Sequence, residues 1–278
     1  MSMTSQLSLC AQEVRKHDHD QFLCGLFVAE EKQNTFFALQ VLHLETVRIR
    51  DMVSDPQLGL MRLQWWRDLI DSIYGDTKTE QVENGTHREI VEALQSCEID
   101  PALFTRYFNA RSFDMEDRTH DDMNALLRYA EATGGVMAQI KEAAIGYEVS
   151  DAARLIGTAQ ALSYLLKTLA HQSRSGRCKI PLSLVRQHEL DMKDFASFTC
   201  NPALKACVKE LVQHSRDLIA QARKSRTRSN PVLLNSVAIE DHLNRLEKVE
   251  FDPFTPEIGG GRLKRQLKLG YRAMRNRY

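Results

Sequence analysis

The chain has 278 residues, and its 37 Lys and Arg balance 37 Asp and Glu, so global charge gives no nucleic-acid signal. Its hydrophobic fraction of 43% is too high for disorder. No apolar run reaches the ~20 residues that span a bilayer. The six cysteines, at 10, 24, 97, 178, 200 and 207, show no C-x-x-C or Cys/His ligand spacing, which argues against a zinc site or redox pair and for reduced intracellular thiols.

Helical periodicity dominates, and no alternating strand emerges. Met1 to Lys16 lacks the long apolar stretch of a secretory signal. With only Arg15 and Lys16 as bases it is also a weak transit peptide, and residues 1–9 read as a short flexible N-terminus. The pattern predicts helices near 6–17, 34–54, 57–74, 86–97, 101–116, 119–146, 151–172, 202–224, 231–247 and 262–276. Loops are expected at 75–85, 173–181, 225–230 and 249–261. The pairs Asp55-Pro56, Asp100-Pro101, Asn201-Pro202 and Asn230-Pro231 each offer an N-cap side chain and a proline at the first helical position. Ser150-Asp151 offers another cap. There is no repeat and no linker-like segment, so a single all-α domain over 1–278 is expected.

The segment from Leu42 to Ser54, followed by the run from Leu58 to Asp68, resembles the first active-site helix and its successor in the squalene/phytoene synthase family. Active members carry D-D-I-V-D there; this chain reads Arg50-Asp51-Met52-Val53-Ser54. The run from Gly157 to Lys167 resembles the approach to the second acidic motif, D-V-G-E-D, where this chain has Thr168-Leu169-Ala170-His171-Gln172. Ser175-Gly176-Arg177-Cys178-Lys179-Ile180-Pro181 resembles the family's R-G-R-x-Y-L-P and pins the register downstream. Tyr129-Ala130-Glu131-Ala132-Thr133-Gly134-Gly135-Val136 resembles Y-x-Y-x-x-A-G-x-V-G, with Glu131 in place of the second tyrosine. Asp18 to Cys24 resembles the family's N-terminal entry, so the likeness covers roughly residues 10–278.

The resemblance implies an isoprenoid-synthase-type helical fold with a central cavity. In active members, facing carboxylates bridge magnesium to a substrate diphosphate and help the allylic bond ionise. Here the four principal metal positions hold Arg50, Ser54, Thr168 and Gln172, none of them a carboxylate. The resemblance therefore implies a pseudoenzyme with no catalytic residue, no metal and no cofactor. Glu45, Arg48, Arg50-Asp51, Val53-Ser54, Gly59, Arg62 and Gln64-Trp65-Trp66 look like the non-catalytic branch that acts in assembly of mitochondrial respiratory complex I. So does the tail from Val249 to Phe254. That branch implies complex I subunits or assembly intermediates as partners, no nucleic acid, and a peripheral place on the matrix side of the inner membrane. The rivals are an active prenyl transferase with relocated ligands and a binder of anionic lipid or prenyl diphosphate.

Arg48, Arg50, Asp51, Ser54, Arg62, Trp65, Tyr129, Thr168 and Gln172 are candidates to line the relic cavity or bind an anion there. The arginines have an ordinary reading too: pairing with Glu45, Asp51 or Asp68 to hold two helices together, which we expect over anion binding. Trp65 and Trp66 point about 100° apart, and we expect the pair to serve the core. The histidines sit in no nucleophile–base or metal motif and read as surface or capping groups. Arg262 to Tyr278 has seven bases and no acid, with Leu263, Leu267, Tyr271, Met274 and Tyr278 at helical spacing. We expect this apolar stripe to pack on the body, leaving Arg262, Lys264, Arg265, Lys268 and Arg272 available to an anionic membrane surface.

Overall fold

Three of the four Asp-Pro and Asn-Pro pairs start helices as their chemistry requires. In the computed structural model, Asp55 accepts from Gln57 N at 2.9 Å, Asp100 from Ala102 N at 2.9 Å and Asn201 from Leu204 N at 2.9 Å. Ser150 caps in the same way, accepting from Ala153 N at 3.1 Å. Each side chain satisfies one of the amides that a helix start leaves unpaired. Asn230 differs from the expectation: it accepts from Val232 N and Leu233 N at the head of a turn, and the helix starts only at Ser236. Residues 7–75, 85–255 and 262–278 are described, without the side chains of 262–264. Much of the expected loop at 75–85, and the three-glycine stretch at 259–261, lies outside them.

Two compact units divide the chain, and among the described residues both are built from helices alone. The first comprises Met1–Met115 and Gln139–Val149. It contains α1 (Leu9–His17), α2 (His19–Gly25), α3 (Glu30–Met52), α4 (Pro56–Tyr74), α5 (Gly85–Gln95) and α6 (Pro101–Arg111). Its core holds Phe36, Phe37, Leu42, Leu63, Phe104 and Tyr107, all buried. Burying such side chains contributes about 1.5–3 kcal/mol each. The second unit comprises Glu116–Ala138 and Ser150–Tyr278. It starts with α7 (Met123–Ala130) and a π-helical segment, Glu131–Gly135, that leads into α8 (Val136–Ala144), whose last six residues count with the first unit. Next are α9 (Asp151–Lys167), α10 (Leu169–Arg174), α11 (Leu182–Gln187), α12 (Met192–Ala196), α13 (Pro202–Lys224), α14 (Ser236–Lys248) and α15 (Arg262–Met274).

Three helices expected to be continuous change along their length, the 101–116 stretch passing from α6 into a 3-10 segment at Ser112–Glu116. The 119–146 stretch breaks into α7, the π segment and α8, with Gly134 against Gly157 of α9. A Cβ on Gly157 would lie 2.7 Å from the Ala138 Cβ and still closer to the Gly134 carbonyl oxygen. The 151–172 stretch breaks at Thr168, which ends α9 and starts α10. The short helices α2, α11 and α12 are too brief for periodicity to register.

Three histidines pack against other side chains rather than at the surface or at caps: half-buried His43 lies against Tyr107, buried His120 against Tyr129, and buried His242 against Ser163. Their neighbours arrive from other helices, so no local pattern announces their burial. Burial pushes the His242 imidazole down to about 3, and His43 well below its ordinary range.

A neutral buried histidine binds no proton in the fold, whereas the unfolded chain does once pH falls below about 6.5. His242 stability is therefore present above that pH and lost as pH falls toward 3. Urea unfolding at pH 7 and pH 5 should give a loss of about 2 kcal/mol from this residue, absent in His242→Gln. Gly157→Ala should lower stability by about 1–3 kcal/mol in the same assay. Gly270→Ala, where a Cβ meets nothing within 4 Å, should be neutral or slightly stabilising.

Candidate functional site

The first acidic-motif position is remodelled by the way α3 ends. Pro56 favours extended backbone at the preceding residue, and both Val53 and Asp55 are extended. The helix consequently stops at Met52, and Ser54 lies exposed beyond it. The expected helix through residue 54, with Arg50 and Ser54 one turn apart on one face, is corrected. Arg50 reaches forward along the chain and its Nη1 donates to the Val53 carbonyl at 3.0 Å, satisfying a carbonyl left free at the helix end. Asp51 is exposed.

Two of the acids expected to hold these arginines have other partners. Glu45 contacts His87 Nε2 at 2.8 Å, and Asp68 accepts from Gln64 Nε2 at 2.7 Å. Half-buried Arg48 and exposed Arg62 have no carboxylate at ion-pair distance among the described residues. Arg48 holds the nearby His17 below its ordinary range, second to the effect of burial. Arg62 reaches the Met52 sulfur at 4.0 Å. Trp66 is core, whereas Trp65 is 40% exposed, correcting the expectation for the pair. The two rings meet edge-on at 4.8 Å, and His87 lies 5.2 Å from each.

In the second unit, the second acidic-motif position has become a hydrogen-bonded clamp. Gln172 is buried, and its Nε2 donates to the Leu165 carbonyl at 3.1 Å and to Thr168 Oγ1 at 2.9 Å. Its Oε1 accepts from Lys179 N at 2.9 Å. Thr168 Oγ1 donates back to the Tyr164 and Leu165 carbonyls at 3.0 Å. Donors and acceptors therefore meet across the break between α9 and α10, and hold the start of the Lys179-Ile180-Pro181 segment. A carboxylate at 172 would lack the two donated bonds and would face a carbonyl oxygen.

Tyr129 is half-buried, and its ring lies 4.9 Å from that of His120, tilted by 44°. Glu131, where the family motif has a tyrosine, pairs with Arg154 of α9 at 2.7 Å. π-Helical turns often mark functional positions, and this one also brings Gly135 close enough for a Cβ to lie 2.9 Å from the Arg154 carbonyl.

Two polar clusters of the first unit have no counterpart among the sequence candidates. Tyr107 OH lies 3.0 Å from His43 Nδ1, contacts Thr46 Oγ1, and accepts from Arg111 Nε at 3.3 Å, while Arg111 pairs with Asp114 at 3.1 Å. Lys141 is buried, and its Nζ donates to Gln21 Oε1 at 2.9 Å and to Gln40 Oε1. Gln40 in turn donates to Asp18 at 2.9 Å. Burial lowers the Lys141 ammonium to about 8 despite the opposing pull of Asp18. A polar residue inside an apolar helix pattern, as at Gln40, is the one local sign of such a cluster.

The α15 candidates have intramolecular roles. Arg265 pairs with Asp241 at 3.2 Å, Lys268 with Glu240 at 3.6 Å, and Arg272 Nη1 donates to the Tyr278 main-chain oxygen at 3.5 Å. The side chains of Arg262 and Lys264 lie outside the described residues. Leu267 is 66% exposed, so the expectation that it packs on the body is corrected.

Magnesium requires hard oxygen ligands, chiefly carboxylates. Arg50, Ser54, Thr168 and Gln172 do not fit it, and the described residues hold no group of three or more His, Cys, Asp or Glu placed for a metal. Restoring an acid tests the clamp: Gln172→Glu should destabilise the protein by roughly 2–3 kcal/mol, read as a lower urea midpoint. An unchanged midpoint would show that the Gln172 bonds do not hold the break.

The chain is 25% identical over 276 residues to the NADH dehydrogenase (ubiquinone) complex I, assembly factor 6 of Bos taurus, covering 97% of this chain and 82% of that one. A dehydrosqualene synthase crystal structure superposes with a TM-score of 0.76 at 12% identity, covering 96% of this chain and 94% of the other. The squalene synthase HpnC of Alicyclobacillus acidocaldarius gives 0.73 at 17% identity, covering 88% and 94%. The fold is thus the all-α isoprenoid-synthase fold. Residues 14–271 match the Squalene/phytoene synthase family model, and the chain belongs to that family.

Proposed function

We propose that this chain is a prenyl-synthase-like protein without prenyl-transfer activity, acting as one domain in the assembly of mitochondrial respiratory complex I. The observation that carries the reading is similarity to the bovine assembly factor across 97% of the chain. The residues at the four metal positions support it. One is spent on its own helix end and two form the α9–α10 clamp, so the polar groups there serve structure rather than a metal. The action is binding: a complex I subunit or assembly intermediate is held, with the protein peripheral to the matrix face of the inner membrane. Among the described residues no helix is long and apolar enough to cross a membrane.

A second reading rests on Arg48 and Arg62. With no carboxylate partner among the described residues, they could take an anionic lipid or prenyl diphosphate without magnesium, guanidinium replacing metal.

Depletion of the protein should selectively remove mature complex I from a blue-native gel of mitochondria, leaving the other respiratory complexes intact. Normal complex I would defeat the assembly reading. Incubation with prenyl diphosphate and magnesium should release no pyrophosphate; release would establish the active transferase instead. For the second reading, farnesyl diphosphate should bind equally with and without magnesium, and about tenfold more weakly to Arg48→Ala with Arg62→Ala. No binding under either condition sinks it.

A further inference from the structure

Three apolar residues of the C-terminal helix face outward. Leu267, Tyr271 and Met274 fall at i, i+4 and i+7, on one side of α15. They are 66%, 54% and 89% exposed. The side that packs carries buried Leu269, together with Arg265 and Lys268, which pair with Asp241 and Glu240 of α14. Glu240 also takes Arg223 of α13 at 2.6 Å. Ion pairs to acids distant in sequence thus hold the helix with this three-residue stripe turned away.

Bases from a second segment gather at the end of that stripe. Tyr278 OH donates to the Ala222 carbonyl at 2.7 Å, Arg223 Nε donates to the Tyr278 main-chain oxygen at 2.8 Å, and Ser229 Oγ donates to the Arg277 carbonyl at 3.2 Å. These bonds set the turn after α13 beside residues 275–278. Lys224, Arg226, Arg228, Arg275 and Arg277 are all exposed. The Arg275 guanidinium lies 4.8 Å over the Tyr271 ring, which joins the basic rim to the stripe. Residues 218–235 and 262–278 contain no Asp or Glu.

We propose that the Leu267/Tyr271/Met274 face of α15 and the basic rim from Lys224 to Arg228 and from Arg275 to Arg277 together dock on an anionic lipid bilayer. Apolar side chains entering the headgroup boundary while bases meet lipid phosphates is the arrangement an interfacial helix uses. A second copy of the chain is disfavoured, because it would press the same exposed bases together. A single three-residue stripe is also far short of the roughly 800 Å² per partner of a stable protein interface. The inference deepens the membrane clause of the proposed function and assigns it a surface; complex I assembly is not needed for it.

The test is flotation of the full chain at low salt with phosphatidylglycerol vesicles and with phosphatidylcholine vesicles. Binding to the anionic vesicles alone is expected. Leu267→Ser with Met274→Ser, and separately Arg226→Glu with Arg228→Glu and Arg277→Glu, should each weaken it by about tenfold or more. Lys193→Glu with Lys209→Glu, exposed bases outside the rim, should leave it unchanged. No binding by the wild type, wild-type binding by the stripe variant, or equal loss in the control would each overturn the proposal. Vesicle binding alongside normal complex I after depletion would defeat only the assembly reading. Absent vesicle binding alongside lost complex I would defeat only this surface.

Discussion

In the second unit, the main chain of the π segment meets the main chain of α9 at Gly134 and Gly157, and neither position has room for a β-carbon. The extra residue of a π turn re-aims the backbone locally, and here it does so where two glycines allow close approach. α9 packs on that segment and on α13, so Ala152, Ala153, Ile156, Ala159 and Leu162 are buried on several sides at once. A helix buried this way needs small and apolar residues around most of its circumference rather than one stripe. The Thr168 break follows directly from α9, and Gln172 closes it. The Thr168–Gln172 segment is therefore held by the same helix that the glycine contact positions.

The first unit depends on a different balance. Its core contains a lysine, two glutamines and an arginine among phenylalanines. Burying such groups is unfavourable unless each finds a partner. Lys141 donates to two amide oxygens and lies 4.8 Å over the Phe36 ring, and Arg111 pairs with Asp114. Tyr107 collects contacts from α3 and α6. These networks specify which helices meet, because removing any one partner strands a buried polar group. Electrostatic specificity thus supplements apolar burial in fixing this unit.

Much of the fold was legible from short-range chemistry. The caps at Asp55, Asp100, Ser150 and Asn201 fixed helix starts because a side chain and its target amides lie within three residues. The site was less legible. Ser54 falls off the end of α3 because Pro56 governs residues before it, and the helical spacing of 50 and 54 concealed that. Gln172 is recognisable as a missing acid in sequence, yet its bonds to Leu165, Thr168 and Lys179 emerge only once the chain bends at Thr168. Glu45, one of the acids expected to hold these arginines, is taken instead by His87, 42 residues away.

The C-terminal helix separates the two kinds of information. Periodicity establishes that α15 carries an apolar stripe and that its segment lacks acids, since both are properties of local spacing and composition. It does not say which side of the helix faces inward. That depends on Glu240 and Asp241, presented by α14, and on the bonds that draw residues 275–278 to the end of α13. The same division runs through the molecule. Sequence by itself determined helical identity, helix starts and family, because these depend on neighbours along the chain. Tertiary structure alone decided which faces are buried, which arginines lack carboxylate partners among the described residues, and which histidines are neutral, because these depend on groups brought together from distant segments.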